Sequence, residues 1–294
     1  RRQFMAELRL ILFGTPTLER SEQAIRLERR KAAALAAYLA LTGQRQSRDV
    51  LTALLWPESD YKQGRAALRS TLSALTKAAP TAWIEADRST VGIKSDAMWV
   101  DVREFLTLIE GIEAHHPVSD ALCDTCACAA HNAIRLYRAD FLNGFYLADS
   151  GEFEYWSAQQ RDTLRREYAD LQRRLALHYS EGARYDLALE HARQWLACDP
   201  LQESAHRQLM WLYAVSDQRA EALRQYKQCF NLLESELASP QEPETTALYE
   251  AITQRQPLVM PQRSATSSLT SGVLPALPTL VVGRDTALRE IKRR

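Results

Sequence analysis

The sequence has 294 residues, of which 46% are hydrophobic and 25% are charged. This length and composition exclude a disordered tail and a minimal scaffold, and they allow two domains with additional segments. The longest apolar run, residues 32–41, has about half the length of a membrane-spanning helix, and no signal peptide precedes it. We therefore expect a cytoplasmic protein without a membrane partner.

Charge is unevenly distributed, although the formal net charge is +0. Residues 1–103 contain 17 Lys and Arg against 11 Asp and Glu, whereas the remainder contains 20 against 26. The electrostatic contribution to DNA binding is local to the surface presented. Only the first part of the chain is therefore expected to approach phosphates.

The first hundred residues predict short strands followed by helices. Apolar segments bounded by turn residues indicate strands at residues 8–13 and 24–27. An Ala- and Leu-rich segment predicts a helix over residues 31–42. Ser47 is a suitable N-cap for a second helix over residues 48–56.

A third helix is predicted over residues 63–77, where Leu68, Leu72 and Leu75 recur at helical spacing on one buried side. The opposite side carries cations and hydroxyls and no carboxylate: Arg65, Arg69, Ser70, Ser73, Thr76 and Lys77. Arginine can bind guanine in the major groove, and hydroxyls can bind phosphate oxygens. A solvated amphipathic helix without a nucleic-acid role gives the same pattern.

Residues 83–93 predict a β-hairpin with Arg88 near its turn. Two strands, three helices and a terminal hairpin, in this order over residues 7–95, resemble the OmpR/PhoB-type winged helix. In that family the third helix lies in the major groove, and the hairpin touches the minor groove or the backbone. The resemblance implies a set of DNA contacts: Arg65, Arg69, Ser70, Ser73 and Lys77 in the groove, Arg88 on the wing and Arg48 at the backbone.

A helical domain is predicted after residue 100. Asp101 and Glu104 have the spacing of a capping box at a helix start, with Asp101 as the N-cap. Farther along, similar residues recur 34 positions apart: Leu175 and Leu209, Tyr179 and Tyr213, Ala188 and Ala222, Leu189 and Leu223. This is the tetratricopeptide period, in which helix pairs stack to bury a shared seam.

The pairing of these domains resembles the bacterial transcriptional activator domain proteins of the antibiotic-regulatory type. Residues 136–145, Leu-Tyr-Arg-Ala-Asp-Phe-Leu-Asn-Gly-Phe, and residues 206–210, His-Arg-Gln-Leu-Met, carry the resemblance. It implies a mainly α protein, with a winged helix-turn-helix domain at 5–98 and an all-α tetratricopeptide-like domain at 101–253. It also implies that the helical domain packs on the winged helix and contacts RNA polymerase or a second copy.

A short segment concentrates thiols and imidazoles, and its Cys-x-x-Cys spacing allows two sulfurs to bind one tetrahedral zinc ion. His116 or His131 could complete the set. The candidate ligands are His116, Cys123, Cys126, Cys128 and His131. A reactive redox pair and ordinary reduced thiols are the alternatives.

The end of the sequence changes in composition. Residues 254–278 are rich in Pro, Ser, Thr and Gln and predict a flexible linker. Residues 279–294 resemble the beginning of a signal-transduction ATPase, and no phosphate-binding loop motif occurs in the chain. We therefore expect a truncated form of a longer protein, with Met5 as its natural start.

Two hypotheses for function follow. No catalytic motif is present, so we expect a protein that is not an enzyme. The first hypothesis is a transcriptional regulator, an activator, that reads double-stranded promoter DNA with helix 63–77 and wing 83–93. The alternative is a repeat-based interaction and control module of a signalling ATPase that does not read DNA directly.

Overall fold

The computed structural model describes residues 8–261, except positions 26, 28, 80–82, 95, 118–119 and 239. The described residues belong to one compact unit. Met5, most of the predicted linker and the predicted ATPase segment 279–294 lie outside the described residues. The chain is mainly helical after a small β-containing region, as the sequence predicts.

The first region contains two small sheets and three helices. The first sheet has the strand order β3-β2-β1-β7, with β1 and β2 antiparallel and β1 and β7 parallel. The second sheet has the order β4-β6-β5. The strands are β1 (Leu8–Ile11), β2 (Thr17–Arg20), β3 (Gln23–Ile25), β4 (Gln46–Ser47), β5 (Ile84–Ala86), β6 (Thr90–Ile93) and β7 (Trp99–Val100). The helices are α1 (Arg30–Thr42), α2 (Arg48–Leu55) and α3 (Tyr61–Ala78).

Local sequence explains the helix ends in this region. Helix α1 ends at Gly43, which has a left-handed conformation with φ of 64° that glycine adopts at no steric cost. The hydroxyl of Ser47 accepts a hydrogen bond from the Val50 N–H and caps α2, as predicted. Between these ends, residues 32–40 of α1 are all buried and form the centre of the core.

The described residues of the second region form seven helices, of which consecutive ones pack side by side. Helix α10 packs on both α8 and α9. The helices are α4 (Asp101–His115), α5 (Asp124–Leu136), α6 (Gly151–Glu181), α7 (Tyr185–Cys198), α8 (Glu203–Val215), α9 (Arg219–Leu237) and α10 (Pro243–Gln254). None of the helices in the described part of the chain is long and apolar enough to cross a bilayer.

The two regions pack against each other through a buried junction. Beyond β1, the Leu12 carbonyl accepts a hydrogen bond from the Leu142 N–H at 2.9 Å. The ring of Tyr38 in α1 packs on that of Trp156 in α6, with centroids 4.9 Å apart. The Ser150 hydroxyl donates to the Leu55 carbonyl of α2 at 3.0 Å. The helical region therefore supports the back of the first region, as the resemblance implies.

The predicted capping box at residue 101 does not form. Helix α4 begins at Asp101 itself, and Val100 occupies the cap position. The buried Asp101 carboxylate instead accepts the backbone N–H groups of Leu12 and Phe13, each at 2.9 Å. Burial raises the pKa of Asp101 to about 6 despite these hydrogen bonds. The carboxylate also accepts the Val102 N–H in the first turn of α4 at 2.8 Å, so it joins the end of β1 to the start of the helix.

Candidate nucleic-acid interface

Helix α3 is positioned by its cap and by its close approach to α2. The Asp60 side chain accepts the Gln63 N–H at 2.8 Å, so the helix starts two residues earlier than the predicted Gln63. Leu68, Leu72 and Leu75 are buried, as predicted. Gly64 is also buried, and a Cβ atom there would overlap the Thr52 side chain of α2. The missing side chain at Gly64 therefore lets the two helices approach closely.

The outer side of α3 is exposed in the presence of the helical region. Its exposed cations and hydroxyls include Lys62, which was not predicted, and five predicted residues: Arg69, Ser70, Ser73, Thr76 and Lys77. Arg69 and Lys77 have no ion-pair partner among the described residues. The Ser70 hydroxyl accepts a hydrogen bond from Arg29 Nη1 at 2.7 Å, which brings a further cation to this surface. We call these five residues of α3 the outer face.

Arg65 is held differently from the rest of the predicted set. Its Nη2 atom lies 2.9 Å from Asp49 Oδ1 of α2, and 3.2 Å from the hydroxyl of Tyr61. Its Nε atom is buried without a hydrogen-bond partner among the described residues. The ion pair links α2 to α3, so Arg65 is not a freely presented cation as the sequence pattern predicts. Its partner could not be found from the pattern of one helix, because Asp49 belongs to the preceding helix.

The hairpin turn is built on Asp87. Its carboxylate accepts the backbone N–H groups of Ser89 and Thr90, each at 2.7 Å. These backbone hydrogen bonds, followed by those from the two hydroxyls, hold the pKa of Asp87 well below its usual range. Arg88 lies next to this carboxylate at the tip and is exposed. The tip therefore has a fixed conformation that presents one cation.

Two further arginines hold the hairpin in place, one just before β4 and one at the start of α2. Arg45 Nη2 lies 2.6 Å from Asp87 Oδ2. Arg48 Nε donates to the Asp87 carbonyl at 2.9 Å. Arg48, which was predicted to contact the DNA backbone, therefore also holds the hairpin in place. Arg45 was not predicted, because a single arginine in a loop gives no periodic signal. The involvement of Arg29 was missed for the same reason.

The predicted zinc set is only partly brought together. One donor atom each of His115, His116, Cys123 and Cys126 lies within 4.8 Å of the others. The structure separates Cys128 and His131 from them, which corrects the prediction for these two residues. Cys128 is exposed, and His131 Nδ1 lies 2.8 Å from the Ala127 carbonyl. Residues two positions apart on a helix point about 200° apart, so Cys126 and Cys128 cannot face one ion from α5.

Comparison with protein families identifies the helical region. The model of the bacterial transcriptional activator domain matches residues 100–253, which is more than half of the chain. The chain belongs to this family. The chain, which we call the activator-domain protein, is therefore a bacterial transcriptional regulator of the activator type, from a family that is not enzymatic.

A solved structure shares the arrangement of the activator-domain protein. Mycobacterium tuberculosis EmbR, solved in complex with a low-affinity phosphopeptide, matches with a TM-score of 0.66 and 20% identity. The match covers 86% of this chain and 67% of EmbR. At this identity the likeness concerns the fold alone. The comparison with curated proteins found no match.

Proposed function

We propose that the activator-domain protein binds double-stranded promoter DNA, with α3 in the major groove and the β5–β6 hairpin on the neighbouring backbone or minor groove. The observation that carries this proposal is the outer face of α3, which is exposed, cationic and free of carboxylates. Arg69, Ser70, Ser73 and Lys77 contact bases or phosphates. Arg88 contacts the DNA from the tip of the wing.

The dimensions of the outer face support this placement. Arg69 and Lys77 are separated by eight residues, which is about 12 Å along a helix axis. The major groove is about 12 Å wide and admits one α-helix. A helix lying along the groove can therefore present both cations, and the hydroxyls between them, to consecutive base steps and their phosphates.

The roles of the two predicted residues Arg65 and Arg48, and of Arg45, which was not predicted, differ from that of the outer face. Arg65 positions α3 through Asp49, and Arg48 and Arg45 position the wing through Asp87. A guanidinium keeps donors that do not engage its partner carboxylate. These three arginines can therefore also touch a phosphate, but their first effect is on the geometry of the surface.

The helical domain supplies the second contact of the regulator. Helix pairs stacked in this way expose extended surfaces that bind other proteins. We propose that this surface contacts RNA polymerase or a second copy of the chain. Sedimentation of the full chain alone, and then with purified RNA polymerase and a promoter fragment, tests both. A monomer that never enters the polymerase complex contradicts this part of the proposal.

The DNA proposal is tested by selecting bound fragments from the source genome and then measuring affinity for a selected site at several salt concentrations. If Arg69 forms a bidentate hydrogen bond with guanine, Arg69→Ala weakens binding by about 5- to 150-fold, corresponding to about 1–3 kcal/mol. If Lys77 touches a phosphate, Lys77→Ala lowers the slope of log affinity against log salt by about one. Lys227→Ala is the control, because it removes an exposed lysine of α9 and leaves the outer face intact.

The contrary result is equally clear. Unchanged affinity in the Arg69→Ala Lys77→Ala double variant, with unchanged folding, would contradict DNA recognition through α3. That outcome favours a repeat-based interaction and control module of a signalling ATPase that does not read DNA directly.

A further inference from the structure

The cluster of two histidines and two cysteines lies where α4 passes into α5. His115 is the last residue of α4, and His116 follows it directly. Cys123 occupies the N-cap position of α5, and Cys126 lies in the first turn. Two helix ends therefore bring four potential metal ligands to one place, far from the outer face of α3 in sequence.

The distances in the cluster match a tetrahedral zinc site. His115 Nδ1 lies 3.2 Å from Cys126 Sγ and 3.6 Å from Cys123 Sγ. With Zn–S near 2.3 Å and Zn–N near 2.0–2.1 Å, neighbouring sulfur and nitrogen ligands of a tetrahedral ion are about 3.6 Å apart. All four donor atoms lie within 4.8 Å of one another. Small side-chain adjustments are thus enough to place each donor at bonding distance from one central ion.

We propose that His115, His116, Cys123 and Cys126 form a structural zinc site that fastens the end of α4 to the start of α5. Two thiolates carry two negative charges, and the two imidazoles are neutral. A divalent, thiophilic ion with tetrahedral coordination therefore suits this set of donors best. Zn²⁺ with this donor set is a closed, electrically neutral complex. All four positions around the ion are filled by protein, so the site has no opening for a reacting water.

Helix α6 holds the described residues that immediately precede Cys123. His178 Nδ1 donates to the Leu122 carbonyl at 2.9 Å. Arg173 Nη1 lies 2.9 Å from Asp120 Oδ2 on the same loop. These contacts hold the segment immediately before Cys123 without using any of the four proposed ligands. Metal binding therefore acts on a preformed site, and the site joins α4, which packs on β1 and β7, to the helices behind it.

The test is metal analysis of the full chain, purified under reducing conditions with a tag that contains no histidine. We expect about one equivalent of zinc per chain, as for a closed four-ligand site. Cys123→Ser and Cys126→Ser should each reduce this to near zero. Cys128→Ser is the matched control, because it removes an exposed thiol of the same helix that is not among the four donors, and it should retain the zinc.

Cobalt and thermal unfolding give independent measurements. Co²⁺ added to the chelator-treated chain should produce thiolate-to-cobalt charge-transfer absorption, and Cys126→Ser should remove it. Zn²⁺ added back should raise the Tm of the chelator-treated chain, because an ion that binds only the folded state stabilises it. If the serine variants fail to fold, the cobalt absorption and the change in Tm of the unaltered sequence decide the question.

Three results would overturn the proposal. One is a reduced, folded chain that neither contains zinc nor gains Tm on adding it. Another is full zinc retention in the folded Cys123→Ser and Cys126→Ser variants. The third is a Cys123–Cys126 disulfide that persists under reducing conditions, which would assign the pair to redox chemistry. None of these results bears on DNA binding through α3.

Discussion

The inner and outer sides of the first region are built from different interactions. On the inner side, which faces the helical domain, the Asp101 carboxylate is buried and paired with the N–H groups of Leu12 and Phe13. On the outer side, Arg69 and Lys77 are exposed and have no ion-pair partner within the described ranges. We therefore expect stability to depend mainly on the inner side, and we propose that the outer side binds DNA.

The arginines of α2, α3 and the wing lie between these extremes. Arg65 and Arg45 are tied to Asp49 and Asp87, respectively, yet both remain close to solvent. Some arginines thus hold the surface in shape through a carboxylate partner, whereas others are exposed on it without such a partner. Substitutions can separate these two roles, because one set should alter unfolding and the other should alter only affinity.

The largest expected effect is on the inner side. Asp101→Ala leaves two buried N–H groups of the β1 end without an acceptor, and each such group costs about 1–3 kcal/mol. We expect the free energy of unfolding to fall by about 2–5 kcal/mol in urea titration. Glu104→Ala, at the exposed second position of the predicted capping box, should change it by less than about 0.5 kcal/mol. Equal losses of unfolding free energy in the two variants would indicate that Asp101 and Glu104 form the capping box.

The same carboxylate predicts a pH dependence. The pKa of Asp101 is raised to about 6 in the folded chain, above its unfolded value near 3.9. The folded state therefore binds more protons between these values, so the stability that Asp101 contributes is complete below about pH 4 and declines as the pH rises through about 6.

Asp101→Asn removes this titration. The stability difference between the original chain and Asp101→Asn should therefore shift by about 2–3 kcal/mol, in favour of the variant, between pH 4 and pH 7. Urea titrations of both proteins at several pH values measure the shift. A difference that stays constant across this range would mean that burial does not raise the pKa.

The smallest expected effect is at the boundary between the two sides. Arg65→Ala removes the partly exposed ion pair with Asp49, and we expect a loss of stability of about 0.2–1 kcal/mol. A double-mutant cycle with Asp49→Ala should give a coupling energy of the same size. Strictly additive effects, together with a loss of DNA affinity as large as that of Arg69→Ala, would make Arg65 a direct DNA contact.

Local patterns predicted the elements that depend on few distant contacts. The spacing of Leu68, Leu72 and Leu75 fixed which side of α3 is buried, and Ser47 marked the start of α2. The strands β2, β4 and β7 were not predicted. β2 and β4 lack a run of apolar residues, and β7 has only two residues, so none of them gives a signal, and each is formed by pairing with a neighbouring strand.

The candidate sites divide in the same way. The outer face of α3 was predicted because all its members lie on one helix, whose period places them on one side. His115 joined the metal cluster, and Cys128 and His131 were excluded from it, only when α4 and α5 were placed side by side. Asp101 likewise found its partners in the segment just after β1, almost ninety residues earlier.

By itself, the sequence determined the helices, the hairpin, the order of the two domains and the cationic side of α3, since these follow from residues a few positions apart. Only the tertiary structure decided that Arg65 pairs with Asp49, that Asp101 closes the end of β1, and which four side chains can share one ion. The physical reason is that hydrogen bonds and ion pairs act over a few ångströms, whereas the residues that form them are brought together by packing of the whole chain.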